Sequence, residues 1–486
     1  MKKVLFILSG TVLLLTGALT FRTIRFVSRQ IEVPPEKMIR LDIQSIVGRL
    51  ARAIQYRTIS GQDTPNSTGG EFQSFHKFLD ESFPGVNKHL SKETVGRYSL
   101  LYTWKGADER LKPILLMGHM DVVPVDPKSQ RSWTYPAFSG RVADGYVWGR
   151  GAMDDKVSVL GILEAVEHLL AQGFTPRRTV YLAFGHDEEI GGQNGAAKIA
   201  ALLASRKVEL EWVLDEGGNV TDGIIPGVSR PVALVGIAEK GYLTLELAVE
   251  STGGHSSIPP ARTAIGLLSS AIHKLEQTPF PTRLSEPTRR FFEFIGPELG
   301  WTKKMALANL WLFEPFVEKE LEKSPLTAAM IRTTQAATIF QAGIKENVLP
   351  NNARAVVNFR LLPGDTIAAV VERVRKIIDD PRVTITLLPV QMEPSATSDS
   401  ESKTFSLLQR VIRQTIGAPI VAPSLLVATT DSRHYAQLTK NVFRFLPITL
   451  RAEDANRYHG IDERIAVKDY EQCIGFYGKL IADSNL

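Results

Sequence analysis

Five short stretches of the chain carry side chains that bind cations or move protons. "MGHMDVVP" supplies His119 and Asp121, "GRGAMDDK" supplies Asp154 and Asp155, and "FGHDEE" supplies Glu188 and Glu189. "LDEGG" supplies Asp215 and Glu216, and "RYHGIDER" supplies His459. Imidazoles among carboxylates, with no thiolate, suit a borderline cation bound through nitrogen and oxygen, zinc first. One cation needs only three or four of these groups; two cations about 3.5–4 Å apart, sharing a carboxylate, use them all. Adjacent Glu188 and Glu189 repel each other in isolation, but beside two cations the local charge inverts and carboxylates are favoured. One of the pair can then ligate while the other accepts a proton from water acidified by the metals. That is hydrolytic chemistry.

Elements of two kinds must position these groups. "KPILLMGH", "RTVYLAFGH" and "LEWVLDEGG" read as buried strands that end on the candidate residues. "KVSVLGILEAVEHLLAQG" is a helix with apolar positions at Val159, Leu163, Val166 and Leu170 and a stop at Gly173. Alternating strands and helices imply a mostly parallel sheet with helices on both faces, and ligands sit outside the carboxyl ends of such strands. Near residue 240 the pattern changes. "GYLTLELAVES" and "ARAVVNFRLLPG" alternate apolar and polar residues, as half-exposed antiparallel strands do. The expected fold class is α/β, with a catalytic domain in two parts (38–240 and 395–486) interrupted by a smaller α+β lid or dimerisation domain (241–394).

Composition narrows the class. The 486 residues are 44% hydrophobic and 22% charged, which suits a globular protein with a sizeable core. A net charge of +5 from scattered Lys and Arg argues against nucleic acid as a partner. The single cysteine, Cys473, rules out an intrachain disulfide. Two lysines followed by uncharged residues 4–21 mark 1–26 as a signal peptide or membrane anchor, so the protein is expected to be secreted or held on the extracytoplasmic side. Asn66 and Asn219 each begin a glycosylation pattern.

In order along the chain, "GHMDVVPV", "YVWGRGAMDDK", "GHDEEIGG", "LDEGG", "GGHSSIPP", "NVLPNNARAVVNFRLLPG", "TTDSRHY" and "YHGIDER" resemble the aminoacylase-1/carboxypeptidase S family of di-zinc exopeptidases and amidases. The resemblance runs from about residue 38 to the end. "WLFEPF" and "IRTTQAATIFQAGIKENV" look most like the secreted branch that makes and hydrolyses N-fatty-acyl amino acids. It implies a zinc-exopeptidase-like fold with two Zn2+ per subunit, one on His119 and the "LDEGG" acid, the other on Glu189 and His459, bridged by Asp154. Family members differ at "LDEGG"; our reading places the ligand at Asp215, with Glu216 the alternative. The resemblance further implies Glu188 as general base and Asp121 as the acid that fixes the His119 tautomer. On the lid, His255 would polarise the scissile carbonyl in a partner's site, within a homodimer built through that domain. Asn347, Arg360 and Arg433 would hold the substrate's free carboxylate. The implied activity is zinc-dependent cleavage, and reversible formation, of the amide bond of N-acyl amino acids, N-fatty-acyl ones in particular. A carboxypeptidase S-like exopeptidase acting on small peptides is the alternative, and an inactive binding or scaffold protein a third.

One aromatic stretch has no role in that chemistry. Residues 289–321 hold Phe291, Phe292, Phe294, Trp301, Trp311, Phe313 and Phe316. Lid core or dimer interface is the first reading; a wall for an acyl chain or a lipid-meeting surface is the sharper one.

Overall fold

The computed structural model describes residues 2–35, 40–61, 69–454 and 456–485. Asn66 and the expected domain start at residue 38 lie outside the described residues.

Ile114–His119 is buried along its whole length and pairs in parallel with Val180–Gly185 on one side and Trp212–Asp215 on the other. Trp212–Asp215 is in turn parallel to Val442–Arg444. These strands form the middle of a ten-stranded sheet. The antiparallel strands Ser91–Val95 and Ser99–Trp104 extend one edge, and Val232–Glu239 carries the parallel strand Ile420–Leu426 toward the other. The expected parallel sheet is there under the candidate site, and antiparallel strands at its flanks make the whole sheet mixed. Successive side chains of a strand face opposite ways. Accordingly Ile114 and Leu116 join the core beneath Ile43–Gln55, Lys156–Ala171 and Val467–Asp483, while Leu115 and Met117 join a second core beneath Ala196–Ser205.

The alternating sequences after residue 240 form a separate antiparallel sheet in the order Thr334–Ala342, Asn352–Leu361, Gly241–Glu250, Thr384–Met392. Its inner residues Leu243, Leu245, Leu247, Val357 and Phe359 pack with Leu268 and Val374 from the helices Ala264–Glu276 and Ile367–Ile378. The expected lid, 241–394, is not continuous. Phe291, Phe292, Phe294, Ile295 and Ile331 join the catalytic domain's core instead, with the Phe294 ring 5.5 Å from Phe405. The chain consequently crosses between the two cores four times. The crossings are tied together: Glu239 N donates to Ser395 Oγ (2.8 Å) and Ser395 N to Glu239 O (3.1 Å). Lys240 Nζ donates to Ala329 O (3.0 Å) and Arg332 O (2.8 Å), and Arg283 N to Ile331 O (2.8 Å).

Two surface expectations change. Trp301, Trp311 and Phe316 are 53%, 57% and 71% exposed, so they are not lid core. Asn219 is buried, with its side chain bonded to Leu446 O and Tyr458 Oη, so it is no glycosylation site. The helix Lys2–Arg25 is long and apolar enough over residues 6–25 to cross a membrane.

Candidate active site

His119, the Glu188–Glu189 pair and the Asp215–Glu216 pair stand at the carboxyl ends of three neighbouring parallel strands, and turns bring Asp154 and His459 to them. His119 is the last residue of its strand, and its Nδ1 lies 3.0 Å from Asp121 O and 3.3 Å from Asp121 Oδ1. With Nδ1–H donated to these acceptors, Nε2 is left as a ligand atom. Asp121 also accepts Ser60 Oγ–H (2.5 Å) and the backbone N–H groups of Glu188 and Glu189 (3.2 Å each). One buried carboxylate thus orients the histidine and fixes the turn that presents both glutamates.

Asp154 lies between the two imidazoles: Oδ1 is 2.9 Å from His119 Nε2 and Oδ2 is 3.1 Å from His459 Nε2. Glu189 Oε2 is 3.2 Å from His459 Nε2. Ligand atoms of His119, Asp154 and Glu216 lie within 4.8 Å of one another, as do those of Asp154, Glu189 and His459. The two groups share Asp154, as a bridging carboxylate requires. Glu188 stands with His119 and Glu189 in a third such group.

The expected ligand Asp215 belongs to none of these groups. Its carboxylate accepts Ser432 N–H (2.8 Å) and Glu216 N–H (3.0 Å) instead. The candidate ligand is Glu216, one residue on. This corrects the expectation: Asp215 ends its strand with its carboxylate engaged by backbone N–H groups, and Glu216, the first residue beyond the strand, joins His119 and Asp154.

The residues fit a pair of cations. Burial, with the nearby charges of Asp154 and Asp155, pushes Glu216 well above the usual carboxylate range. Burial, with Asp431, Glu189 and Asp154, does the same to Glu188. Hydrogen bonds that the His459 ring donates to Asp154 and Glu189 raise it to about 10, so the carboxylates here draw in positive charge. Glu189 Oε1 is buried with no hydrogen-bond partner among the described residues. Crowded, underpartnered carboxylates of this kind call for metal charge.

Sequence reasoning missed the groups that hold the ligand loops. Glu463 is fully buried; its Oε1 accepts the N–H groups of Gly151 (2.9 Å), Met153 (2.8 Å) and Asp154 (3.2 Å). Its Oε2 pairs with Arg150 Nη1, whose other arm donates to His459 O (3.0 Å). His459 itself is in the left-handed region at φ 57°, a conformation costing about 1–2 kcal/mol that this clamp sustains. Both clamp residues lie inside the quoted motifs, but nothing in their spacing signals the pairing. Asp431 was also missed. It is buried below Gly185 and Gly192, with neither oxygen bonded among the described residues.

Substrate-side expectations divide. Arg433 donates to Thr430 O (2.7 Å) and Gly191 O (3.0 Å), next to the glutamate turn. Arg360 lies over the Tyr242 ring at 4.6 Å, and burial, reinforced by the charge of Arg433, lowers its pKa. His255 and Asn347 are exposed on the lid, side by side through Ser256 N–H to Asn347 O (3.2 Å). Ser257 N–H donates to His255 Nδ1 (3.1 Å), which leaves the neutral ring's proton on Nε2. Neither residue is in the metal-competent groups of its own chain.

A mixed α/β sheet with two three-ligand groups sharing an aspartate at the strand ends defines a metal-dependent hydrolase. The chain belongs to peptidase family M20/M25/M40, whose sequence pattern matches residues 115–483. It is 45% identical over 476 residues to "Probable carboxypeptidase S-like 2" of Dictyostelium discoideum, covering 96% of this chain and 91% of the relative. It is 43% identical over 446 residues to "N-fatty-acyl-amino acid synthase/hydrolase PM20D1" of Xenopus tropicalis, covering 91% and 86%. The fold matches the M20 family metallo-carboxypeptidase Sso-CP2 from Sulfolobus solfataricus with a TM-score of 0.66 at 18% identity, covering 90% of this chain and 98% of that one. The chain is thus an enzyme of a metallopeptidase family.

Proposed function

We propose that the protein is a di-zinc amidohydrolase that cleaves, and in reverse forms, the amide bond of N-acyl amino acids, with long-chain acyl groups as its substrates. The observation that carries the reading is Asp154 shared between the His119/Glu216 group and the Glu189/His459 group, with Glu188 beside them. Two zinc ions held there would supply water of lowered pKa and an electrophile for the amide oxygen. Glu188 accepts a proton from that water and returns it to the leaving amine. Arg360 and Arg433 hold the substrate's free carboxylate, a planar anion that guanidinium groups match, with Asn347 completing the grip. His255, contributed by a second copy of the chain, donates Nε2–H to the amide oxygen as charge develops there. Relatives named for carboxypeptidase S and for N-fatty-acyl-amino acid synthesis and hydrolysis support the reaction class. The apolar helix Lys2–Arg25 supports export, as a signal sequence or a membrane anchor.

The test is zinc quantification with hydrolysis assays of Glu188→Gln. Full zinc loading with activity reduced about 10²–10⁴-fold is expected; wild-type rates at full loading would remove Glu188 from the base role. Faster cleavage of oleoyl-phenylalanine than of a blocked dipeptide is expected, and the reverse order would favour the peptidase reading.

A further inference from the structure

The last turn of the helix Lys2–Arg25 is built into the protein. Asn309 is fully buried at the turn between Trp301–Ala308 and Leu310–Leu321. Its Nδ2 donates to Leu19 O (3.2 Å), Thr23 Oγ1 (3.4 Å) and Met305 O (2.9 Å), and its Oδ1 accepts Trp311 Nε1–H (3.3 Å). Thr23 is itself fully buried, and Arg22 Nε reaches Ala308 O (3.5 Å). Beyond the helix the chain stays on the body, where Gln30 exchanges hydrogen bonds with Val421 in both directions (3.0 and 2.8 Å). A buried amide that shares its donors with this helix is part of a permanent contact, because removing the helix strips those partners.

Most of the described side chains earlier in the helix are uncovered: Phe6, Leu13 and Leu14 are 84%, 73% and 78% exposed. Hydrocarbon is the medium that suits such a surface along a helix of this length. The turn at 19–25 then marks the bilayer boundary, and Asn309 fixes the 301–321 hairpin to that turn. The hairpin carries the exposed Trp301, Trp311 and Phe316, with Lys303 and Lys304 in its first helix and Glu314, Glu318, Lys319 and Glu320 in its second, and Arg22 reaches it from the Lys2–Arg25 helix at Ala308 O. Tryptophan beside basic residues is the composition of the headgroup layer.

We propose that the 301–321 hairpin rests on the lipid headgroups beside the membrane span, with Trp301, Trp311 and Phe316 in contact with lipid. The proposal rests on the helix Lys2–Arg25 being kept as a membrane anchor. It places the catalytic domain against the surface in which long-chain acyl substrates dissolve.

The test reads tryptophan directly. Trp104, Trp133, Trp148 and Trp212 are buried in the protein, which leaves Trp301 and Trp311 to report on lipid. The full-length chain is reconstituted in phosphatidylcholine vesicles containing phosphatidylserine, with and without bromine near the headgroup end of the acyl chains. Flotation with the vesicles and strong quenching by brominated lipid are expected, with most of the quenching lost in the double variant Trp301→Phe, Trp311→Phe at unchanged zinc content. Flotation without quenching, or quenching that survives the double substitution, overturns the hairpin contact while leaving the anchor in place. Failure to float overturns the anchor and the proposal together, without touching the amidohydrolase reading. Shielding of both tryptophans from acrylamide without lipid, growing with protein concentration, assigns the face to a second copy of the chain and overturns the lipid assignment.

Discussion

Glu463 and Arg150 meet at 2.6 Å inside the protein, and between them they hold both the Asp154 loop and the His459 loop. Breaking one partner of a buried pair leaves the other charge stranded, at about 3–5 kcal/mol. Glu463→Gln should therefore lower the unfolding midpoint and weaken zinc retention against a chelator. Denaturant unfolding and competitive zinc titration check this. Normal values in both would reduce the clamp to an incidental contact.

Glu216 and Asp215 are neighbours with opposite duties. Glu216→Ala should lose one of two bound zinc equivalents, whereas Asp215→Asn should keep both, because Asp215 Oδ2 serves Ser432 N–H rather than the metal group. Elemental analysis of the purified variants decides it. Loss of zinc only in the Asp215 variant would restore the assignment expected from sequence.

Gly192 adopts φ 67°, and a Cβ there would collide with Asp431 Oδ1. Gly192→Ala adds a left-handed alanine, about 1–2 kcal/mol, to that clash. The expected outcome is a destabilised protein with severely reduced hydrolysis, measured by thermal unfolding and initial rates. A wild-type melting curve would show that Asp431 moves aside freely.

Burial pushes the Lys240 ammonium down to about 7 from its ordinary 10.5. Between those values the unfolded chain holds a proton that the folded one has released, so this residue makes stability rise with pH from about 7 toward 10. Below about 7 both states are protonated and the dependence ends. Lys240→Met should flatten the rise, read from urea midpoints across that range. An unchanged slope in the variant would show that Lys240 stays charged.

Much of the site was legible because strand ends are where apolar runs stop and chemistry starts. His119, Asp154, Glu189 and His459 come together from four separate motifs, and a run such as "ILLMGH" locates its own last residue. Which member of Asp215–Glu216 joins the candidate ligand group was not legible, because it depends on how the chain leaves the end of the strand Trp212–Asp215. The mixed character of the sheet was hidden, since buried strands read alike whichever way their neighbours run. In the sequence, contiguity alone places the 286–331 segment with the lid. Its amphipathic helix Glu286–Ile295 packs on the strand Ile420–Leu426 and sets Phe294 against Phe405, all more than a hundred residues later in the chain, and periodicity does not name a partner. Glu463 and Asp431 act through backbone N–H groups or through glycine-made space, which leave no mark in side-chain pattern.

The ties at Glu239–Ser395, Lys240–Ala329 and Arg283–Ile331 knot all four passages of the chain at a single spot. Sliding of one body past the other would have to tear several of these bonds at once, whereas swinging about the knot strains few. The lid is therefore geared as a lever with one fulcrum. A small tilt there is magnified at its far tip, where His255 and Asn347 ride.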